Sequence, residues 1–498
     1  MLDFSLPLKS GRGVGPPQNR WPRRAYRYVV GTHRKLPEEK TPSSWSTNCK
    51  NLLTVIAVLY VVYRVQDVVW EHHKLPSSGF GTVWAWLALL WVLPLPSALL
   101  GLIGFVTFTK SKRPIAPVSN LVSFRYVTRG FNDQVIRESI KSVHEAMEKQ
   151  PLFDYVIEIV TETPLDLDAL GSSDKIRQIV VPTDWESPRK TLYKARGLLY
   201  ASLYADLPEN AWIMHGDEES RITPSLVRGM AQAIAEEEES GKLRIGQGIV
   251  LYHIDRDDNK MMYVADAVRT AGDYGAFGLQ NRLGLALVGF HGSFILVRND
   301  VEKEVSFDVG PEGSVTEDAF WGLQQMQNGR RLRFVDGYMV EQAPQTARDL
   351  IKQRRRWFNG LWMVAFKAPV KIRWRFLIAW SNLAWGLCWL AVAYTIINLF
   401  IGYTPHPIFR LLANLTFTYY ICCYIVGTRA NLIDNPAGFW GSLKWYIRAI
   451  CGLPYIVVVE AAGILLGILA PDRGFHVIEK NRRSQKVPAT VCPAPSSP

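Results

Sequence analysis

AWIMHGDEES, residues 211–220, decides the fold. Ala211 to Met214 is a short apolar run with three large side chains, the pattern of a buried strand. It stops at Gly216 and the acidic triplet Asp217-Glu218-Glu219. Strands that end in polar groups are where α/β sheets bind ligands. Working outward, similar runs recur at VSFRYVT (122–128), YVIEIVT (155–161), IRQIVVP (176–182) and GSFILV (292–297). Amphipathic stretches separate them, and that alternation predicts an α/β domain with a largely parallel sheet. From Arg113 to Phe366 no segment is apolar enough to span a bilayer. The interval, roughly 250 residues, is ample for a core of its own.

Both flanks are apolar. Leu52 to Val69 is long enough to cross a bilayer, with Arg64 and Asp67 at its end placed to pair on one helix face. Val83 to Phe108 reads as a second span, followed by Lys110, Lys112 and Arg113. After the sheet domain, Phe376 to Phe400 and Ile408 to Gly427 read as spans. Tyr446 to Ala470 reads as a third, holding Pro454 and Glu460. Three would leave the basic tail outside, against the positive-inside trend, so 435–470 is expected to include a re-entrant or interfacial piece. About fifty polar and basic residues precede the first apolar run, which is unlike a signal peptide.

Of the 498 residues, 48% are hydrophobic and 20% charged, so disordered and coiled-coil classes drop out. The net charge of +12 is not that of a nucleic-acid binder. Residues 1–50 carry +7 and 471–498 carry +3, which leaves the middle almost neutral and predicts basic cytosolic tails. No cysteine lies between 50 and 387, so the polar middle has no disulfide, thiolate nucleophile or cysteine metal site.

Three motifs carry the chemistry. Asp217 and Glu219, spaced i and i+2 at a strand end, suit a hard cation such as Mg²⁺ or Mn²⁺ that bridges phosphate oxygens; the alternative is a solvated acidic turn. Glu317 and Asp318 follow the glycine-rich GPEG (310–313), and one of them fits a general base; acidic pairs also cap helices. Gln353, Arg356 and Trp357 form QxxRW within RDLIKQRRRWFNGLW (348–362). Arginine holds a leaving diphosphate, tryptophan offers a sugar a flat face, and the whole stretch suits a helix in the membrane interface.

In this order, inside an α/β domain held between apolar helices, the motifs resemble the family 2 glycosyltransferases with a GT-A fold. VTRG, VIEIVTE, KARGL, WIMHGDEES, GSF, GPEGSVTED and QRRRWFNGLW narrow the resemblance to the Egghead-type β-1,4-mannosyltransferases, closely across roughly 120–365. The likeness implies a nucleotide site at Thr128, Arg129, Glu162, Lys194, Arg196, Asp217, Gln353, Arg356 and Trp357. It implies a metal on Glu219 and Asp217, and catalysis by Asp318 with Glu317 beside it. It implies an acceptor pocket at His291, Gly292, Ser293 and Trp357. Departures are Glu162 where Asp is usual, Glu at the last place of DxD, and Gly216 before the triplet. For His291 a plain structural role is the alternative, and for Lys194 and Arg196 a solvated helix face.

The resemblance implies inverting transfer of mannose from GDP-mannose to glucosylceramide at a bilayer, with no nucleic-acid partner. A processive polysaccharide synthase using a UDP-sugar shares the three motifs and is the alternative. The implied organisation is a basic cytosolic segment (1–50), two transmembrane helices (51–109), a cytosolic GT-A domain (113–347) and an interfacial helix (348–366). C-terminal transmembrane helices (374–470) and a basic, Pro-rich tail (471–498) complete it, in an endoplasmic reticulum or Golgi membrane.

Overall fold

The computed structural model describes residues 43–471 apart from 72, 76–78, 167–173 and 255–258. Most of the basic N-terminal segment and the C-terminal tail lie outside the described residues. Two groups of apolar helices enclose an α/β domain, as expected.

The chain enters through α1 (Ser44–Trp70) and returns through α2 (Phe80–Trp86), a 3₁₀ turn (Leu87–Trp91) and α3 (Leu95–Val106). The domain then runs β1 (Leu121–Thr128), α4 (Asp133–Lys149), β2 (Asp154–Thr161), β3 (Ile176–Val180), α5 (Tyr193–Tyr204), β4 (Trp212–Asp217), β5 (Arg221–Ile222), α6 (Pro224–Ser240), β6 (Ile245–His253), α7 (Lys260–Tyr274) and α8 (Ala276–Leu283). It closes with β7 (Ile295–Arg298), α9 (Asn299–Lys303), α10 (Gly310–Gly313), α11 (Glu317–Gln327) and β8 (Leu332–Gln342). α12 (Ala347–Lys367), α13 (Ile372–Gly386), α14 (Cys388–Ile401), α15 (Pro407–Asn431) and α16 (Gly438–Leu469) follow.

The sheet has eight strands in the order β3-β2-β1-β4-β7-β6-β8-β5. β1 to β4 run parallel, whereas β7 is antiparallel to both β4 and β6. Its central strands read as continuous apolar runs because helices cover both faces. Phe124, Ile157 and Met214 pack with Leu226, Met230 and Ile234 of α6 in one cluster; Ile213, Val297 and Phe290 pack with Phe320 and Trp321 of α11 in another. Local signals set the helix ends. Thr223 caps α6 by accepting from Leu226 N at 3.2 Å, Pro224 occupies its first turn, and Gly241 (φ +64°) stops it. A buried ionic ladder crosses the centre of the sheet. Arg125 lies opposite Glu158 of β2 and His215 of β4, and it bonds Glu158 Oε2 (2.9 Å) and Glu302 Oε2 (2.8 Å). His215 Nε2 lies 2.6 Å from Glu302 Oε1. Burial opposes the Glu302 charge, but Arg125 and His215 outweigh it and hold the carboxyl down to about 2.

Among the described residues four helices are long and apolar enough to cross a membrane: 44–69, 372–401, 407–431 and 438–469. The expected uninterrupted span 83–108 is instead a pair of helices bent by 42°. Pro94 and Pro96 explain the break, since proline cannot donate to the preceding turn. No re-entrant loop occurs at 435–470: α16 continues through Pro454 for 32 residues. It packs on α7 and α12 as well as on the apolar helices α14 and α15. Trp445 meets the Tyr263 ring, Glu460 meets Arg354, and Ala470 O accepts from Arg355. The membrane helices dock tightly on the domain; a Cβ on Gly427 of α15 would lie 1.9 Å from Ala267 O of α7.

Candidate active site

The register levels the carboxyl ends of three strands, pairing Thr128 with Thr161 and Val127 with Asp217. The functional side chains gather there around one cavity of about 1390 Å³. The turn after β4 is closed by Ser220 N donating to Asp217 O (2.9 Å) and by Asp217 N donating to Ser220 Oγ (2.9 Å). That turn fans out the acidic triplet. Glu218 accepts from Thr128 Oγ1 (2.7 Å), while Asp217 and Glu219 line the cavity. Gly216 departs from the family pattern for a visible reason: a Cβ there would stand 2.7 Å from the Tyr126 ring.

Lys194, at the start of α5, joins the motifs. Its ammonium bonds Asp217 Oδ1 and Gly292 O (2.8 Å), and lies 3.9 Å from Glu317 Oε1. Burial opposes its charge, yet Asp217 and Glu317 outweigh burial and raise its pKa. Glu317 and Asp318 open α11, the positive end of that helix dipole. Burial and then Asp318 push the Glu317 carboxyl up to about 7, and burial also raises Asp318. Asp318 accepts from Ala319 N (2.8 Å), and a Cβ on Gly292 would approach its Oδ2 at 3.1 Å, so the glycine admits the carboxylate to the cavity.

α12 supplies the third motif, capped by Thr346 accepting from Asp349 N at 3.1 Å. Arg356 is desolvated, which lowers its pKa, and it feels Glu317, Asp217, Asp318 and Glu219. Trp357 lies under Arg354 (4.5 Å to the ring centroid) and Arg269 (5.7 Å). Gln353 turns inward, its Oε1 accepting from Arg354 (2.7 Å).

Thr128, Arg129, Glu162, Lys194, Arg196, Asp217, Glu219, His291, Gly292, Glu317, Asp318, Gln353, Arg356 and Trp357 all border the cavity. Three behave differently from the expectation. Arg196 spends its donors on Glu162 Oε1 (2.6 Å) and on the carbonyls of Pro182 and Trp185, so it positions Glu162 and the 182–185 loop. Ser293 is fully buried outside the lining, where its Oγ accepts from Arg269 at 3.3 Å. His291 rests on the Phe277 ring with Nε2 3.3 Å from Asp273 Oδ1; burial keeps it neutral.

Sequence reasoning missed the second layer. Arg354 holds Asp266 Oδ1 (2.8 Å) and Glu460 Oε1 (2.7 Å), and Arg269 holds Glu341 Oε2 (3.1 Å) and Tyr252 OH (3.0 Å). The run Arg354-Arg355-Arg356 hides which arginine is buried for structure and which faces the site. Lys190 and Tyr193, both at φ +56°, mark the loop before α5 as locally strained, a signal invisible in sequence.

Among the described residues no cluster of three or more carboxylate, histidine or cysteine side chains stands ready for a metal ion. Even so, four carboxylates (Asp217, Glu219, Glu317, Asp318) face two cations (Lys194, Arg356). That oxygen-only, negatively unbalanced donor set fits a divalent ion completed by diphosphate oxygens.

The same cavity continues between the apolar helices, lined by Trp91, Thr395, Phe417, Tyr420 and Val458. On α13 and α14 the lining runs from Ile378 to Ile396, about 27 Å at 1.5 Å per residue.

Residues 212–430 match the family described as "Glycosyl transferase family group 2". The chain is 27% identical to the β-1,4-mannosyltransferase bre-3 of Caenorhabditis elegans, over 82% of this chain and 90% of that protein. It is 28% identical to the β-1,4-mannosyltransferase egh of Drosophila melanogaster, over 80% and 87%. The solved mannosyltransferase PcManGT from Pyrobaculum calidifontis, in complex with GDP-Man and Mn²⁺, aligns with 76% of this chain and 99% of its own. That alignment has 12% identity and a TM-score of 0.40.

Proposed function

We propose that the chain is a family 2 glycosyltransferase of the β-1,4-mannosyltransferase type and that it moves mannose from GDP-mannose to the glucose of glucosylceramide, with inversion. The observation that carries this reading is the single cavity joining the carboxylate cluster to an apolar chamber among the membrane helices. A soluble acceptor has no use for such a chamber, whereas a lipid's hydrocarbon fills its apolar walls.

Inversion by single displacement needs an ionised base, a neutralised leaving group and alignment of the two. Asp318 is the base: both carboxyl groups border the cavity, but Glu317 lies towards Lys194 (3.9 Å) while Gly292 leaves Asp318 Oδ2 open to the acceptor side. A carboxylate whose pKa is raised by burial is a stronger proton acceptor for the acceptor hydroxyl. Arg356 and Lys194 place positive charge beside the departing diphosphate. Asp217 and Glu219 would hold Mn²⁺ or Mg²⁺, which would supply further neutralisation of the diphosphate. Thr128, Arg129 and Glu162 border the part of the cavity at the ends of β1 and β2, where the guanosine fits. Trp357, fixed by two guanidinium groups, gives the sugar a platform.

The helices suit a cytosolic domain on an endoplasmic reticulum or Golgi membrane. α1 starts beside the domain, with Asn48 bonding Phe108 O (2.8 Å). Lys74 N and Gly402 O (2.8 Å) pair at the opposite end, and Arg429 returns to Asn51.

The test is nucleotide release by the purified full chain with Mn²⁺, comparing GDP-mannose with UDP-sugars, with and without glucosylceramide. GDP release that depends on glucosylceramide is expected. Release from a UDP-sugar without added lipid would replace this reading with the polysaccharide-synthase one.

A further inference from the structure

The junction between the carboxylate cluster and the apolar chamber is guarded by a buried amide. Asn382 of α13 is 2% exposed and borders the cavity. Its Nδ2 donates to Phe358 O at 3.3 Å, which fixes the orientation of the amide because a carbonyl only accepts. Its Oδ1 therefore faces the other way, and among the described residues no group donates to it. Several other polar groups along the apolar helices do have partners. Ser97 and Ser381 bond each other at 2.6 Å, Thr395 Oγ1 accepts from Trp91 Nε1 (2.8 Å), and Glu460 accepts from Arg354 (2.7 Å). A buried acceptor without a donor is costly, and here it belongs to a residue that borders the cavity. Its Nδ2 partner is the carbonyl of Phe358, the residue after Trp357, so the amide is anchored to the helix that carries the platform and borders the same cavity.

Resting on the lipid-acceptor reading, we propose that Asn382 Oδ1 reads the hydrogen-bond-donating backbone of the lipid. It accepts from the amide N–H or the C3 hydroxyl of a sphingoid base, and so selects amide-linked glycolipids over ester-linked ones. In a glucosylceramide these two donors lie within a few bonds of the glycosidic oxygen, directly below the sugar. A diacylglycerol presents only acceptors at that depth, leaving Oδ1 unpaired. Sites built around a buried polar group discriminate strongly against ligands that lack its partner.

The experiment uses the full chain in lipid nanodiscs with GDP-mannose. kcat/KM is measured for glucosylceramide, its N-methyl and 3-O-methyl derivatives, and glucosyldiacylglycerol. The expected result is a loss of about tenfold, through KM, for glucosyldiacylglycerol and for whichever methyl derivative removes the donor; that is the factor one ordinary hydrogen bond supplies. In Asn382→Leu the preference collapses to within about twofold. Equal use of all four lipids by the unaltered protein overturns the proposal while leaving the lipid reading intact, and that comparison needs no variant to fold. Failure to use any glucolipid, with GDP-mannose consumed on a soluble glucoside instead, overturns both.

Discussion

Replacing Arg354 with methionine tests how the catalytic helix is held. All three donor positions of this guanidinium are used, on Glu460 (2.7 Å), Gln353 (2.7 Å) and Asp266 (2.8 Å), and Arg354 is 2% exposed. Methionine has similar bulk but leaves Asp266 and Glu460 facing each other without a cation. Removing one partner of a buried ion pair costs about 3–5 kcal/mol, a factor of roughly a few hundred to a few thousand in the folding equilibrium. Trp357 also loses the cation 4.5 Å above its ring, so kcat/KM for GDP-mannose should fall by about tenfold or more. Thermal unfolding in detergent and nucleotide release are the two readouts. A triple variant, Arg354→Met with Asp266→Asn and Glu460→Gln, removes the stranded charges and should regain most of the stability but not the activity. The reasoning is refuted if Arg354→Met melts within about 2 °C of the parent, or if the triple variant melts no higher than the single one.

Other outcomes are as specific. Because burial pushes the Glu317 carboxyl up to about 7 and raises Asp318 beside it, the acidic pair takes up protons as pH falls, and the base is lost with the protonation of the pair. kcat/KM should therefore climb from about pH 6 to 8, and a flat profile across that range would contradict the assignment. Asp318→Asn should abolish transfer while GDP binding, followed by calorimetry, persists. Lys194→Met removes a charge that lowers both carboxyl pKa values, so the acid limb should move up by about 1–3 pH units. Glu219→Ala should raise the Mn²⁺ concentration for half-maximal activity about tenfold or more; an unchanged titration would remove it from the metal site. Gly216→Ala drives a methyl into the Tyr126 ring and should destabilise by about 1–3 kcal/mol, with relief on adding Tyr126→Leu.

The strands and three motifs were legible because each is local: a run of apolar residues, an acidic turn, a helix carrying QxxRW. The register then brought Thr128, Glu162 and Asp217 to one sheet edge, as strand-end logic anticipates. Long-range pairings were not legible. Arg354 meets Asp266 at a separation of 88 residues and Glu460 at 106, and no periodicity announces a partner that distant. The bend at Pro94 was written in the sequence but outweighed by the hydropathy of the whole run. Ser293 shows the other limit: a serine in a glycine-rich loop faces the cavity or the core according to a single peptide, here Phe294 at φ +57°.

The ionic ladder beneath the site has a consequence for assembly of the sheet. Parallel strands of Val and Ile slide past one another at little cost, since one branched residue resembles the next. Arg125, Glu158 and His215 are different. A slip of one residue would place the guanidinium opposite Ile157 or Ile159 and strand a carboxylate in the core. A misaligned pairing is thus penalised relative to the observed one. The ladder acts as a proofreading device: it carries no reaction chemistry, yet it favours the register in which the strand tips bordering the cavity end level with one another.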